Sequence, residues 1–173
     1  FSKMAQESDI SFDVSFDLGE DKIFFGDMAR VAQVVKILLS NAFKFNKKGG
    51  FVELKISRVG DLLEISVRDG GIGIAAENLE SIFSAHQVDS SLIRNYEGSG
   101  LGLSIASKLV GAMNGKLEVF SEQGVGSEFV FDAEFGVVQN GVIESKGFID
   151  VENSYPDSSH LNHLLVEANL VNQ

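Results

Sequence analysis

The sequence predicts an α+β fold, a two-layer sandwich in which a mixed, mostly antiparallel sheet is covered on one face by about three helices. Three observations lead there. Two pairs of strand patterns, Phe51 to Val59 with Leu62 to Arg68 and Lys116 to Ser121 with Glu128 to Phe135, are each joined by a short glycine-bearing connection, as in antiparallel hairpins. Helical periodicity occurs at three separated places, about 27–45, 75–83 and 102–113. A further alternating segment, Ile10 to Leu18, precedes the first of these helices.

Taken in order, Phe1 to Ser8 reads as the tail of a preceding helix or a connector, with the chain cut abruptly at Phe1. Ile10, Phe12, Val14, Phe16 and Leu18 alternate with polar residues, the period of a half-buried strand. Gly19-Glu20-Asp21 supplies a turn and Ile23-Phe24-Phe25 a second short strand. Asp27 can cap the long helix, whose residues Val31, Val34, Val35, Leu38, Ala42 and Phe45 recur at helical spacing and form its core face. Lys47 to Gly50 is a turn, and Gly60-Asp61 links the first hairpin. Ala75 to Phe83 is read as a short helix and Ser84 to Glu97 as a polar loop. The last helix packs through Leu103, Ile105, Ala106, Leu109, Val110 and Met113, and Asn114-Gly115 ends it. Gln123 to Gly126 turns the second hairpin.

Composition narrows the function. A chain of 173 residues fits one domain with additional terminal segments, and a hydrophobic content of 44% supports a core, which fourteen Phe and no Trp make Phe-rich. The absence of Cys excludes disulfides and thiolate metal sites. A formal charge of −11 argues against a general nucleic-acid surface, and it requires any phosphate site to be locally positive. No apolar run is long enough to span a bilayer, no signal peptide opens the chain, and no internal repeat is evident.

The chemistry concentrates between Asp69 and Leu103. Asp69 ends an alternating strand and is followed at once by Gly70, Gly71 and Gly73. Glycine lets the backbone turn sharply and a ligand approach where a Cβ would collide, and a carboxylate beside such a turn can accept from a buried amino group. A second turn, Gly98-Ser99-Gly100-Leu101-Gly102-Leu103, opens a helix. Free N–H groups there, with the positive end of the helix dipole, suit phosphate. One turn for a base and one for phosphates points to a nucleotide. Gly71-x-Gly73-x-x-Ala76 also fits the dinucleotide fingerprint. That reading requires another parallel strand after the helix, and the following SAHQVDSSLIRNYEGSG has no strand pattern.

Asn41, Lys44 and Phe45 fall at i, i+3 and i+4 of the long helix, on neighbouring positions of one face. An amide oxygen such as that of Asn41 can ligate Mg²⁺, and Lys44 is placed to meet the same phosphates. The order Asn41-Ala42-Phe43-Lys44-Phe45, then DGGIGI, then QVDSSLIRNYEGSGLGLSIA, resembles the ATP-binding catalytic domain of sensor histidine kinases, in the GHKL superfamily that includes gyrase B and MutL. The resemblance covers about residues 10 to 135. It implies a Bergerat-type ATP-binding fold with ATP and Mg²⁺ as cofactors. Catalytic roles fall to Asn41, Lys44 and Arg94, with Asn41 as the metal ligand. The nucleotide-binding set is Asn41, Lys44, Phe45, Asp69, Gly71, Gly73, Ile74, Arg94, Gly98, Ser99, Gly100, Leu101, Gly102, Leu103 and Ser127. Asp69 accepts from the adenine amino group, Ser127 lies near it, and Ser84 to Glu97 is a lid with Arg94 facing phosphate.

The chain departs from that pattern in two places. Position 37, one turn before Asn41, holds Ile37 where ATP-hydrolysing relatives have a glutamate general base, so rapid hydrolysis is not expected. The pair of Phe that commonly precedes the lid is reduced to Phe83 followed by Ser84-Ala85-His86. His86, His160 and His163 lack the helical context of the family's acceptor histidine, so the acceptor helices are expected before Phe1. Residues 136 to 160 read as a linker containing Pro156. LLVEANLVNQ resembles the start of a receiver domain, although Ala168 follows Glu167 where receivers carry two adjacent acids.

The organisation expected is therefore a connector at 1–9, an ATP-binding domain at 10–135, a linker at 136–160 and a truncated receiver at 161–173. The function implied is transfer of the γ-phosphoryl group of ATP to a histidine on a dimerisation segment, in the two-component signalling of a hybrid kinase. The alternative is a degenerate domain that binds nucleotide as a regulatory signal. The partners implied are the dimerisation and histidine-acceptor domain of the same protein and a receiver domain or response regulator. No nucleic-acid or membrane contact is expected of this segment, and a homodimer only in the full-length protein. The location implied is cytoplasmic, including the cytosolic part of a membrane-bound receptor.

Overall fold

The structure, a computed structural model, describes residues 1–19, 23–25, 27–60, 62–84, 101–134, 136–139 and 142–144. Its elements are α1 (Ser2–Ser8), β1 (Ser11–Asp17), β2 (Ile23–Phe25), α2 (Met28–Lys44), β3 (Phe51–Val59), β4 (Leu62–Asp69), α3 (Gly102–Gly111), β5 (Leu117–Glu122), β6 (Gly126–Glu134), β7 (Gly136–Gln139) and β8 (Val142–Glu144). Among these residues no helix is long and apolar enough to cross a membrane.

Five strands form a mixed sheet in the order β1-β3-β4-β6-β5, parallel only between β1 and β3. That single parallel pair has a topological cause. The chain must return to the same end of the sheet before starting β3, and α2 is the crossover that brings it back. The two hairpins supply the antiparallel pairs. Val59 sits opposite Leu62 across a two-residue connection, and Gly60 takes a φ of 64° there.

α2 and α3 pack against each other and against the sheet. Of the α2 face predicted from periodicity, Val31, Val34, Val35, Leu38 and Ala42 are buried and are joined by Leu39 and Phe43, while Phe45 is the half-buried residue that ends the helix. Asp27 caps the helix by accepting from the Arg30 N–H at 3.0 Å. Register then builds the core in rows across the strands: Leu54 faces Val67, Val67 faces Phe129, and Phe129 faces Val119. The connector is ordered as α1, which packs on β1, and Phe1 stacks on Phe43 with ring centroids 5.8 Å apart.

Ile105, read as part of the packing face of α3, is exposed, because only one side of the helix meets α2 and the sheet. Two expectations about elements also change. The helix read at 75–83 is only a 3-10 turn, Ala76–Asn78, followed by turns. Nine residues seldom sustain a helix alone, and here Ser81 Oγ donates to the Asn78 carbonyl at 2.9 Å and Ser84 Oγ to the Ser81 carbonyl at 2.6 Å, competing for helical acceptors. Strands β7 and β8 lie within the segment read as a linker, and β7 pairs antiparallel with both β2 and β8 to form a second, three-stranded sheet. The lid beyond Ser84, including Arg94, the residues Gly98, Ser99 and Gly100 of the second glycine turn, and the receiver-like segment lie outside the described residues.

Candidate functional site

The site grows from one row of the sheet. Val52 pairs with Asp69, Asp69 with Ser127, and Ser127 with Ser121, one row beyond the apolar row of Leu54, Val67, Phe129 and Val119. Alternation therefore places a carboxylate and two hydroxyls on the face that is otherwise hydrophobic core. Asp69 and Ser127 are each only 8% exposed. A buried polar row at the end of a sheet costs stability unless its members are satisfied, and charged residues are seldom buried without a partner.

Asp69 Oδ1 accepts from the Gly71 N–H at 2.8 Å, closing a tight turn on itself. Burial holds the Asp69 carboxyl above the usual carboxylate range, while hydrogen bonds from the Gly71 and Ser127 backbone and the charge of Lys47 pull the other way. The glycines are dictated by space. A Cβ on Gly71 would strike the Phe45 carbonyl and stand 2.7 Å from Asp69 Oδ1. Gly73 has φ 65°, and a Cβ there would strike the Glu122 carbonyl.

The turn is also stitched to its surroundings on both sides. The Ile72 N–H donates to the Phe45 carbonyl at 3.0 Å, tying the turn to the end of α2, and the Gly124 N–H donates to the Ile72 carbonyl at 2.7 Å, tying it to the β5–β6 hairpin. The Ile74 N–H donates to Ser121 Oγ at 2.8 Å, and Lys47 Nζ reaches the Gly124 carbonyl at 2.5 Å. Hydrogen bonds thus join Phe45, Asp69, Gly71 and Ile74 of the predicted set to their neighbours, with Gly73 inside the turn and Ser127 beside Asp69. Ser121 and Lys47 were missed by sequence reading. The signal for Ser121 was a polar residue on the inward phase of a strand, paired with Ser127 across the turn Gln123 to Gly126.

The second half of the site is where α2 meets α3. A Cβ on Gly102 would lie 3.2 Å from Ile37 Cγ2, so Ile37 packs against the first residue of α3. Asn41, four residues on, follows Ile37 on the same face of α2 and is half-buried. Lys44 Nζ stands 4.9 Å from the Phe45 ring centroid. α3 begins without a side-chain cap at Leu101, and its first intrahelical bond runs from the Ile105 N–H to the Leu101 carbonyl at 3.0 Å. The N–H groups of Gly102, Leu103 and Ser104 precede that bond, the arrangement that suits an anion. Leu103 packs against the core while Leu101 is exposed.

Residues 26–136 match the family model described as "Histidine kinase-, DNA gyrase B-, and HSP90-like ATPase". The chain belongs to this ATPase family. The chain is 46% identical over 105 residues to the sensor histidine kinase RcsC of Escherichia coli, covering 60% of this chain and 11% of RcsC. The hybrid signal transduction histidine kinase B of Dictyostelium discoideum is 36% identical over 142 residues, covering 79% of this chain and 7% of that protein. This chain thus spans only a small part of either relative. Among solved structures, full-length ShkA in complex with AMPPNP matches with a TM-score of 0.68 at 31% identity, over 82% of this chain and 29% of that one. The catalytic domain of the histidine kinase ThkA matches with a TM-score of 0.65 at 26% identity, over 78% of this chain and 84% of that one. The sheet and helices described above are therefore those of a histidine-kinase ATP-binding domain.

Proposed function

We propose that this domain binds Mg-ATP between the glycine turn after β4 and the start of α3, and presents the γ-phosphoryl group to a histidine carried on a segment outside the chain. The observation that carries the reading is Asp69: a buried carboxylate at the end of β4, beside glycines with no room for a Cβ, on a core face that is hydrocarbon apart from the hydroxyls of Ser127 and Ser121 beside it. Membership of the ATPase family and a structural neighbour solved with AMPPNP support it.

The residues present fit the nucleotide. Asp69 accepts from the exocyclic amino group of adenine, with Ser127 beside it and Gly71, Gly73 and Ile74 forming the wall. The amides at the start of α3, from Leu101 to Leu103, and the segment Gly98 to Gly100 cradle phosphates, while Lys44 and Arg94 balance their charge. Asn41 supplies an amide oxygen to Mg²⁺, whose chemistry when bound is to neutralise phosphate charge. Transfer then needs no protein nucleophile in this domain. The accepting imidazole nitrogen forms the new P–N bond as the bond to the ADP oxygen breaks, and the domain contributes positioning and charge neutralisation.

Ile37 occupies the place from which a carboxylate would activate water, and its hydrocarbon packs on Gly102 instead. A site of this kind favours transfer over hydrolysis. The competing reading, a degenerate domain that only senses nucleotide, is not favoured by relatives named as sensor kinases. The partners we infer are the dimerisation and acceptor domain of the same protein and a receiver, in the cytosol. Incubating the domain with γ-labelled ATP and a supplied histidine-bearing dimerisation segment tests the proposal. Acid-labile, alkali-stable label on that segment is expected. ATP binding without transfer to any such segment would leave only the sensor reading.

A further inference from the structure

Ser121, half-buried on the edge strand β5, ends the polar row and has three side-chain hydrogen-bond partners among the described residues. The Ile74 N–H donates to its Oγ at 2.8 Å, the Gly126 carbonyl lies 2.8 Å away and Ser127 Oγ 2.9 Å away. Counting protons assigns the directions. A serine hydroxyl has one proton and two lone pairs. The Gly126 carbonyl can only accept, so it takes the Ser121 proton. The Ile74 N–H fills one lone pair of Ser121, and the other is left for the Ser127 proton. Ser121 Oγ is the hydrogen-bond partner that the described residues offer to the Ser127 hydroxyl, and with this assignment every proton in the row has an acceptor.

The consequence lies at Ser127. Its proton is committed to Ser121 rather than to Asp69, so toward a ligand the Ser127 hydroxyl can only accept. The Asp69 carboxylate is also an acceptor when ionised. We infer that Ser121 is a positioning residue for base selection: it draws the Ser127 proton inward, so that the pocket wall presents two acceptors and admits a purine with an exocyclic amino donor while rejecting one with a carbonyl at the same place. Adenine carries that donor, and guanine carries an acceptor oxygen. The same hydroxyl fixes the Ile74 amide, and so holds the turn that bounds the pocket. The inference rests on the proposed nucleotide reading and adds to it which residue sets the polarity.

The test compares ATP with GTP affinity in the intact chain for Ser121→Thr and Ser121→Val, two side chains of nearly the same shape that differ by the hydroxyl. Ser121→Thr should keep the wild-type ATP-to-GTP preference. Ser121→Val should narrow it by about tenfold, because the freed Ser127 proton can turn to Asp69 or to a ligand carbonyl. The melting temperature without nucleotide is measured alongside. A merely structural Ser121 would lower melting in Ser121→Val and leave the preference intact, which overturns the inference. If Ser121→Val does not fold, Ser121→Ala takes its place. If neither folds, Ser127→Ala decides, since a retained preference there removes Ser127 as the acceptor that Ser121 orients. Asp69→Asn separates the two levels. If it leaves ATP affinity unchanged, the nucleotide reading itself fails; if it weakens ATP while Ser121→Val keeps the preference, only the role of Ser121 fails.

Discussion

Replacing Gly73 with alanine is expected to unseat the whole glycine turn. At φ 65° an L-residue meets its own backbone, at a cost of about 1–2 kcal/mol. The new Cβ also strikes the Glu122 carbonyl, which is backbone and cannot rotate aside as a side chain would. Either the turn or the β5–β6 hairpin must move, and between them run the Gly124 N–H to Ile72 carbonyl bond and the Ile74 N–H to Ser121 bond. Losing both adds about 2 kcal/mol, so the change should destabilise the domain by roughly 3–4 kcal/mol. That is a large fraction of the 5–15 kcal/mol typical of a domain. Urea unfolding followed by circular dichroism measures it. Gly111→Ala is the control: that position ends α3, with nothing within 4 Å of a new Cβ, and should be neutral or slightly stabilising. A loss below about 1 kcal/mol for Gly73→Ala, with ATP binding intact, would refute the claim that sterics dictate this glycine.

Other outcomes are expected from the same site. The unmodified chain should bind ATP but turn it over slowly in Mg²⁺, because Ile37 cannot activate water; rapid steady-state hydrolysis abolished by Asn41→Ala would contradict this. Ile37→Glu should destabilise α2 against α3 by about 1 kcal/mol through lost packing at Gly102, read as a lowered melting temperature; an unchanged melting temperature would show that the contact contributes nothing. The raised pKa of Asp69 means the folded state binds its proton more readily than the unfolded state. Its contribution to stability is therefore fully present below the usual carboxylate pKa near about 4 and is lost as pH rises through the raised value. Asp69→Asn cannot ionise, so its stability relative to wild type should improve across that window; a gap independent of pH would show that burial does not perturb Asp69.

How much of this was legible in the sequence depended on which force shaped each part. α2 and the hairpins β3–β4 and β5–β6 were readable because one face of each is buried, which imposes a period on residues such as Val31, Val35 and Leu38 or Val52, Leu54 and Ile56. Asp69 was readable because its glycines mark backbone that must come close to something else. The segment at 75–83 misled because Ala, Glu and Leu favour helix locally, while its length and the hydroxyls of Ser81 and Ser84 favour turns. Strands β7 and β8 are masked by the polar composition around them, although Asn140-Gly141 between Val137-Val138 and Val142-Ile143 is a hairpin signal. Ser121 was illegible for another reason: its role lies in hydrogen bonds to Ile74, Gly126 and Ser127, and only the register of β5 against β6 brings it opposite Ser127.

The nucleotide reading turns on Asp69, and calorimetric titration of Mg-ATP into wild type and Asp69→Asn tests it most directly. An amide replaces a charged acceptor with a neutral one and offers a donor where the adenine amino group also donates. Affinity should fall at least tenfold, about 1.4 kcal/mol or more, with the far-ultraviolet circular dichroism of the domain unchanged. Equal affinity in the two proteins would place the base elsewhere and remove Asp69 from the site.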